Sequence, residues 1–337
     1  MNKVYILLLN WNGWKDTIEC LESVFRIDYP DYQVILCDND SRDGSMDHIK
    51  AWAEGKLAST VPDHNPLRRF SFPPIAKPIY YVEYNRKQAE AGGHEDDAKA
   101  RLILIQTGAN LGFAGGNNVG LRYALARDDF DYVWLLNNDT VIKPDALTKM
   151  IERMMVKPDA GICGSKIPYY HQPDKIWALG GATYNKWGAI PRCIGLSQNA
   201  DKHYDRWEVE SKMDYIAGAS MLVSKPFLHH VGLLCEDYFL YFEELDWAVR
   251  AKGQYTLAYA PESIVYHKVG ASTDTIDKPT EKRPRSIDYM YRNRLLFTRK
   301  FYPLALPSVF LRLWFEKLKS ACTVNIKKLW KGVRHDR

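Results

Sequence analysis

The chain has 337 residues, and 46 lysines and arginines against 41 aspartates and glutamates leave a net charge of +5, too mild a balance to call for a nucleic-acid partner. Its six cysteines (Cys20, Cys37, Cys163, Cys193, Cys235, Cys322) form no CxxC and no paired spacing, which argues against a disulfide framework or a zinc site and fits a reducing cytoplasm. No run approaches the ~18 apolar residues of a membrane-spanning helix, and no separate basic and apolar regions mark a signal peptide.

Val4 to Leu9 is an apolar run of strand length, suited to a central strand buried on both faces. It ends in the turn signal Asn10-Trp11-Asn12-Gly13. Ile18, Leu21, Val24 and Phe25 recur at helical spacing from Trp14 to Arg26, and Tyr29-Pro30 stops that helix. A second strand, Gln33 to Cys37, ends in Asp38-Asn39-Asp40-Ser41-Arg42-Asp43-Gly44-Ser45, with Ser45 as the expected cap of a helix from Met46 to about Ala53. Strand, helix, strand, helix begins a doubly wound parallel sheet. In such sheets ligands bind beyond the carboxyl ends of the strands. Asp38, directly after its strand, is placed to accept from a base imide or a ribose hydroxyl, whereas Asp43 reads as structural.

Residues 54–100 break the rhythm with prolines, charges and Gly92-Gly93, and read as an insertion in which Ile79 to Val82 forms a strand. Long loops of this kind serve as lids, partner contacts or plain connections, and the sequence does not choose between them. Strand signal resumes at Leu102 to Ile105. Then Asn110-Leu111-Gly112-Phe113-Ala114-Gly115-Gly116-Asn117-Asn118-Val119-Gly120 reads as a glycine-rich turn leading into a helix from Val119 to about Ala126. Glycines permit close backbone approach, and amides at a helix start favour anions. The stretch is neither G-x-G-x-x-G nor a Walker loop.

The run Tyr132 to Leu136 then ends abruptly in Asn137-Asn138-Asp139-Thr140. One carboxylate and two amides suit a hard divalent cation that shares its oxygen ligands with substrate phosphates, and they equally suit an Asx turn. A helix follows from Ala146 to Val156, with strand segments at Gly161 to Ile167 and Ala178 to Ala182. In the apolar run Tyr215 to Val223, the small residues Gly218, Ala219 and Ser220 admit either a ligand or tight packing. The aromatic run Phe239 to Phe242 delivers Glu243, Glu244 and Asp246 to a helix start. Acidic residues suit that end of a helix dipole, and crowding them raises carboxyl pKa values towards those of a general base. Successive helix positions diverge by roughly 100°, so one carboxylate can face a cleft while another pairs with Arg250. Ala258 to Tyr266 reads as a strand broken at Pro261. His267 follows it, either as a structural histidine or as a metal ligand beside Asp139. A helix is expected over Tyr289 to Phe301. In Pro307 to Trp330 an apolar face (Phe310, Leu311, Trp314, Phe315, Leu318, Cys322) is flanked by Arg312, Lys317, Lys319, Lys327, Lys328 and Lys331. That pattern reads as a membrane-surface element or as a surface helix packed on the core.

In this order, ILLLNWNG, VILCDNDSRDGS, ANLGFAGGNNVGL, WLLNNDT, YIAGASMLVSK, YFLYFEELDWAVRAK and YHKVGAST resemble the family 2 glycosyltransferases, and most closely their bacterial rhamnosyltransferase-like branch. The resemblance spans Lys3 to Thr273 apart from 54–100. It implies an α/β GT-A fold: a Rossmann-like, mostly parallel central sheet flanked by helices, with an insertion after the second strand–helix unit, a domain over 1–275 and a basic, amphipathic helical extension over 276–337. It implies an inverting, Mg²⁺- or Mn²⁺-assisted transfer from a nucleotide-diphosphate sugar (dTDP-rhamnose first, a UDP-sugar next) to a glycan or lipid-linked glycan. The expected location is the cytoplasm, peripheral at the inner face of the membrane, where the basic tail meets an anionic surface. Carried over by position, Asn10, Asn12, Asp38, Asn39, Asn110, Gly112, Gly116, Asn117, Asn137 and Asn138 fall on the donor side. Gly218 and Ala219 fall on the acceptor side, and Asp139 and His267 hold the metal. Glu244 stands where the family carries its catalytic Asp; because a Glu replaces that Asp, Glu243 and Asp246 remain candidate bases. Asn137 replaces the first Asp of the metal motif. These two departures support a rival reading, a non-catalytic nucleotide-sugar-binding or scaffold subunit of a polysaccharide assembly complex. A sugar-nucleotidyltransferase would need a basic glycine-rich loop where Asn10-Trp11-Asn12-Gly13 stands.

Overall fold

The computed structural model describes residues 2–94, 99–269 and 285–318. Strand β1 (Val4–Asn10), helix α1 (Trp14–Val24), β2 (Tyr32–Asp38) and α2 (Ser45–Ala53) open the chain. Alternate residues of β1 enter opposite layers: Val4, Ile6 and Leu8 join one core and Tyr5 and Leu7 the other. A strand buried on both faces needs a continuous apolar run, which is what its sequence supplies. Ser45 is the first residue of α2 rather than its cap. Gly44, at φ +75°, precedes the helix, and Asp43 Oδ1 accepts from both the Ser45 amide and its hydroxyl at 3.0 and 2.5 Å. Asp43 is therefore structural, as expected.

The described part of residues 54–100 is anchored to the body of the fold. It contains a short 3-10 turn at Arg68–Phe70, then β3 (Tyr81–Asn85) and α3 (Arg86–Glu90). The buried Glu22 carboxylate accepts from the Ile75 amide, Lys77 Nζ and Trp52 Nε1 at 2.8 to 3.0 Å. The Ser71 hydroxyl reaches Glu19, and Phe70 stacks on Tyr266 at 5.9 Å. Strand β3 lies a few residues later than expected and pairs in parallel with β4 (Leu102–Gln106) as the sheet edge.

Helix α4 (Gly112–Arg127) starts seven residues before the expected Val119. Its glycines Gly115, Gly116 and Gly120 are helical. They let the helix lie directly on the sheet, where side chains at 116 and 120 would strike Leu9 and Leu7. Then come β5 (Tyr132–Asn137), β6 (Thr140–Ile142), α5 (Ala146–Val156), β7 (Ala160–Pro168), β8 (Ile176–Leu179), β9 (Gly181–Asn185), β10 (Ile190–Cys193) and α6 (Arg206–Lys212). The chain continues through β11 (Tyr215–Ile216), β12 (Ser220–Ser224), α7 (Lys225–Val231), α8 (Glu243–Ala251), β13 (Thr256–His267) and α9 (Arg285–Phe301). A last helix, α10, begins at 306 and is described to 318. The basic residues expected at Lys319 and beyond, and Cys322, lie outside the described residues.

The sheet runs β10-β9-β8-β7-β12-β5-β1-β2-β4-β3. From β5 to β3 every pairing is parallel, and the register sets Asn10 beside Asp38, Asp38 beside Gln106 and Leu9 beside Asn137. The carboxyl ends of the parallel strands thus share one level. Strand β12 enters antiparallel between β5 and β7. Strand β13 pairs with β7, shifts register around Pro261, and then runs antiparallel to β6 with His267 opposite Thr140. This is an α/β fold with a mostly parallel central sheet between helical layers.

Candidate functional site

Four strand ends supply a cradle of amides. Asn10, fully buried at the end of β1, donates to Asp38 Oδ1 at 2.7 Å and to the Ser41 hydroxyl at 3.1 Å. Its Oδ1 accepts from Thr17 Oγ1 at 2.8 Å and stands 3.4 Å from Asn138 Nδ2, which also donates to Thr17 at 2.8 Å. Asp38 Oδ2 takes the Ser41 amide at 3.0 Å. Asn12, at φ +50°, caps the facing loop by accepting from the Arg42 amide at 2.8 Å. On the other side, Asn39 donates to Asn110 Oδ1 and the Gly112 carbonyl at 3.0 and 3.1 Å and accepts from the Leu111 amide. Asn117 donates back to the Phe113 carbonyl one turn earlier. These groups are partnered before any ligand arrives, so they shape the rim rather than wait for it.

Strand β5 turns into β6 through Asn138 and Asp139 alone. The strand continues past the expected polar loop, because Thr140 already pairs with His267. The buried Asp139 Oδ1 lies 3.1 Å from His267 Nε2, yet the contact is not aligned as a hydrogen bond, and both Oδ1 and His267 Nδ1 lack any hydrogen-bond partner. Asn137 Nδ2 stands 3.5 Å from the same imidazole nitrogen. Burial alone would raise the Asp139 carboxyl, but the His267 imidazole and the Lys268 ammonium outweigh it and hold the group below its ordinary value. A buried carboxylate oxygen without a hydrogen-bond partner, facing an imidazole nitrogen, offers ligand atoms of the kind that Mg²⁺ or Mn²⁺ accepts, with substrate phosphates completing the shell. The described residues contain no group of three or more His, Cys, Asp and Glu that could hold a metal unaided.

The third part is the start of α8. Tyr241 and Phe242 are both left-handed, at φ +70° and +81°, a conformation that costs non-glycine residues about 1–3 kcal/mol each. Glu243 follows, 2% exposed, with Oε2 unpartnered. Glu244 is half-buried beneath Gly218, where any side chain would collide with Glu244 Oε1. Burial pushes Glu244 up to about 7, against the opposing pull of the backbone amides of Glu244 and Gly218. Glu243 is raised well above the usual range by burial and then by the Glu244 charge. The two titrate as a pair. Asp246 sits elsewhere: fully buried, it is ion-paired to Arg250 at 2.7 Å and Lys300 at 2.6 Å. Its oxygens are committed, so the helix geometry separates it from the other two.

These parts are joined by backbone. The Asn137 amide donates to the Ala219 carbonyl at 3.1 Å, tying the Asn138–Asp139 turn to the Gly218 loop. Gly112, at φ +71°, lies so close to the Phe239 carbonyl that a Cβ would collide with it, and the Phe113 amide donates to that carbonyl at 2.7 Å. Sequence reasoning missed three residues here. Trp177 sets its ring edge-on to His267 at 4.8 Å. Lys268 holds Asp16 and Glu19 at 2.5 and 2.6 Å beside the Asn138–Asp139 turn. Asn118 clips the Leu234 amide and carbonyl. Lys268 and Asn118 sat within recognisable blocks; Trp177 carried no signal.

Residues 5–64 and 88–181 match the family described as Glycosyl transferase family 2. The Low-salt glycan biosynthesis hexosyltransferase Agl10 of Haloferax volcanii is 25% identical over 157 residues, 45% of this chain and 46% of that protein. The match thus spans about half the length of that relative. Among solved structures, S. aureus TarS 1-349 superposes with a TM-score of 0.50 at 11% identity, over 92% of this chain and 71% of that one. GalNAc-T7 with UDP, GalNAc and Mn²⁺ superposes with a TM-score of 0.52 at 11% identity, over 79% and 44%. The fold is the GT-A fold of these glycosyltransferases.

Proposed function

We propose that this chain is an inverting glycosyltransferase that moves a sugar, rhamnose in the first place, from a nucleotide-diphosphate donor to a cell-surface or lipid-linked glycan. The observation that carries the proposal is Glu244. This carboxylate, raised by burial to about 7, is seated under Gly218, in a loop that is hydrogen-bonded to the turn bearing Asp139. A general base works best with a pKa near the operating pH. Glu244 takes the proton of an acceptor hydroxyl while that oxygen bonds to the anomeric carbon. The bond from that carbon to the diphosphate oxygen breaks, the nucleoside diphosphate keeps the electron pair, and attack from the opposite face inverts the configuration. Glu243, higher in pKa, stays protonated and spares Glu244 a second adjacent charge.

Asp139 and His267 would hold Mg²⁺ or Mn²⁺, which when bound supplies positive charge against the leaving diphosphate. Asn137 contributes an amide beside them. Asn10, Asn12, Asp38, Asn39, Asn110, Gly112, Gly116, Asn117 and Asn138 shape the donor side, and Gly218 and Ala219 the acceptor side. The names of the relatives support this reading: one is a hexosyltransferase of glycan biosynthesis, and one was solved with UDP and Mn²⁺. A thermal-shift screen of the full chain against UDP, dTDP, GDP and CDP, each with and without Mn²⁺, tests it. Ligand at a hundredfold excess over Kd stabilises by about 2.7 kcal/mol. A Mn²⁺-dependent shift with dTDP fits dTDP-rhamnose, and one with UDP fits the second choice. A chain that binds a nucleotide sugar without transfer or hydrolysis would be the scaffold subunit instead.

The extension adds a membrane surface. On α10, Phe310, Leu311, Trp314, Phe315 and Leu318 are exposed on an apolar face beside Arg312 and Lys317. Further lysines follow in the sequence at 319, 327, 328 and 331. Such a face fits an anionic bilayer, which takes the rings at its headgroup level and the cations at its phosphates. This supports a location at the inner face of the cytoplasmic membrane. Removing 307–337 is expected to abolish binding to phosphatidylglycerol vesicles; undiminished binding would overturn this part. No helix among the described residues is long and apolar enough to cross a membrane.

A further inference from the structure

Helix α9 lies outside the residues that match the family, yet one stripe of it holds the turn that presents Glu243 and Glu244. Asn293, fully buried, donates through Nδ2 to the Leu240 carbonyl at 2.8 Å and the Tyr241 carbonyl at 3.1 Å. Phe297, one turn on, packs against Phe242 at 5.4 Å and Tyr184 at 5.3 Å. Lys300 reaches Asp246 at 2.6 Å, and Tyr289, one turn before Asn293, stacks on Phe239 at 4.6 Å. Tyr289, Asn293 and Phe297 recur every four residues, so they share a face of the helix, and that face covers 239–246. The same segment contains the two consecutive left-handed residues, Tyr241 and Phe242. Left-handed non-glycine residues persist only where their surroundings over-determine them. Two carbonyls clamped by one buried amide, with rings packed on both sides, are such surroundings.

We infer that Asn293 is a positioning residue for the transfer reaction: it locks the Leu240–Phe242 turn and thereby sets the direction and burial of the Glu244 carboxylate. The inference rests on the reading of Glu244 as the base, but it concerns how that carboxylate is held and can fail separately. The groups facing Glu244 are Glu243 on its own helix, Cys193 on β10 and Tyr215 on β11. No cation is among these neighbours, so burial sustains the raised pKa, and burial depends on the turn. With Asn293 truncated, the two carbonyls lose their donor, the turn relaxes, water reaches the carboxylate, and its pKa falls towards that of an ordinary glutamate.

The test is a carboxyl NMR titration of the full chain labelled with ¹³C-glutamate, in which the Glu244 signal is identified by its loss in Glu244→Gln. Wild-type protein should show that signal titrating near 7. Asn293→Ala should move it down by roughly one unit or more, a tenfold change in proton affinity. Arg153→Ala breaks the Arg153–Glu210 pair elsewhere and should leave it in place, which separates positioning from general loss of stability. If Asn293→Ala does not fold, Asn293→Ser, too short to reach both carbonyls, is judged by the same shift. A Glu244 signal that stays within a few tenths of wild type, or rises, overturns the inference. Near-normal transfer by Glu244→Gln would instead overturn the base assignment, whatever Asn293 does.

Discussion

The two sides of the cleft differ in how their polar groups are settled. On the side proposed for the donor, Asn10, Asp38, Thr17 and Asn138 bond one another, and Asn39 is bonded to Asn110 and the Gly112 carbonyl. On the side proposed for the acceptor, Glu243 Oε2 is buried without a partner and Glu244 is raised by burial; at the boundary, Asp139 Oδ1 and His267 Nδ1 have no hydrogen-bond partners. A buried polar group without a partner costs about 1–3 kcal/mol. The difference teaches which groups build the site and which are left to react. The amides fix the shape of the donor cradle in advance, and the carboxylates carry stored instability that a substrate or a cation would relieve.

The largest expected effect breaks the reacting side. Glu244→Gln keeps the shape but removes the base, and turnover should fall by about 10²-fold or more with nucleotide binding intact. Asp139→Ala, or chelation of the metal in wild type, should remove the Mn²⁺-dependent part of the nucleotide thermal shift and cost roughly 10²-fold in metal affinity. An unchanged Mn²⁺ dependence would release Asp139 from that role. Gly218→Ala pushes a methyl into Glu244 Oε1. It should slow transfer by about 10-fold to 10²-fold through misplacement, with a smaller change in donor KM.

The remaining effects are on stability, and they differ in sign between the two sides. In the native state Glu244 titrates near 7, against 4.5 for an unperturbed glutamate. Between those values the folded protein holds a proton that the unfolded chain has released, so stability falls as pH rises through that window. Glu244→Gln escapes this loss. It should be more stable than wild type at pH 8, by up to ~3 kcal/mol, and the advantage should close towards pH 4.5. Asn138→Ala on the donor side should do the opposite. It takes a donor from Thr17 and Asn10 and lowers stability by about 1–2 kcal/mol at either pH. Denaturation at the two pH values checks both.

Much of this contrast was legible in the residues. Apolar runs ending in polar clusters marked the ends of β1, β2 and β5, because a parallel strand buried on both faces has a continuous pattern and a sharp stop. Asp139 and His267, far apart in the chain, were paired by type and position, and the structure sets them 3.1 Å apart. The glycine-rich start of α4 read as a turn, since glycine disfavours helices; close packing on Leu7 and Leu9 overrode that preference. Residue pattern alone left the three acids of α8 equivalent and only the resemblance put Glu244 first; Asp246 could not be set aside, because Lys300, which takes it up, lies 54 residues further on. Neither Trp177 nor Asn293 stood out, since each acts through a tertiary contact and neither lies in a patterned block.

The pH dependence of sugar transfer by wild-type protein, with its nucleotide-binding affinity followed in parallel, tests the central claim most directly. A base at Glu244 gives turnover that falls about tenfold per unit below pH 7 and levels off above it, while nucleotide affinity at saturating Mn²⁺ follows a different curve. A rate that stays flat from pH 5 to 8, or one that keeps its acid limb in Glu244→Gln, would contradict it.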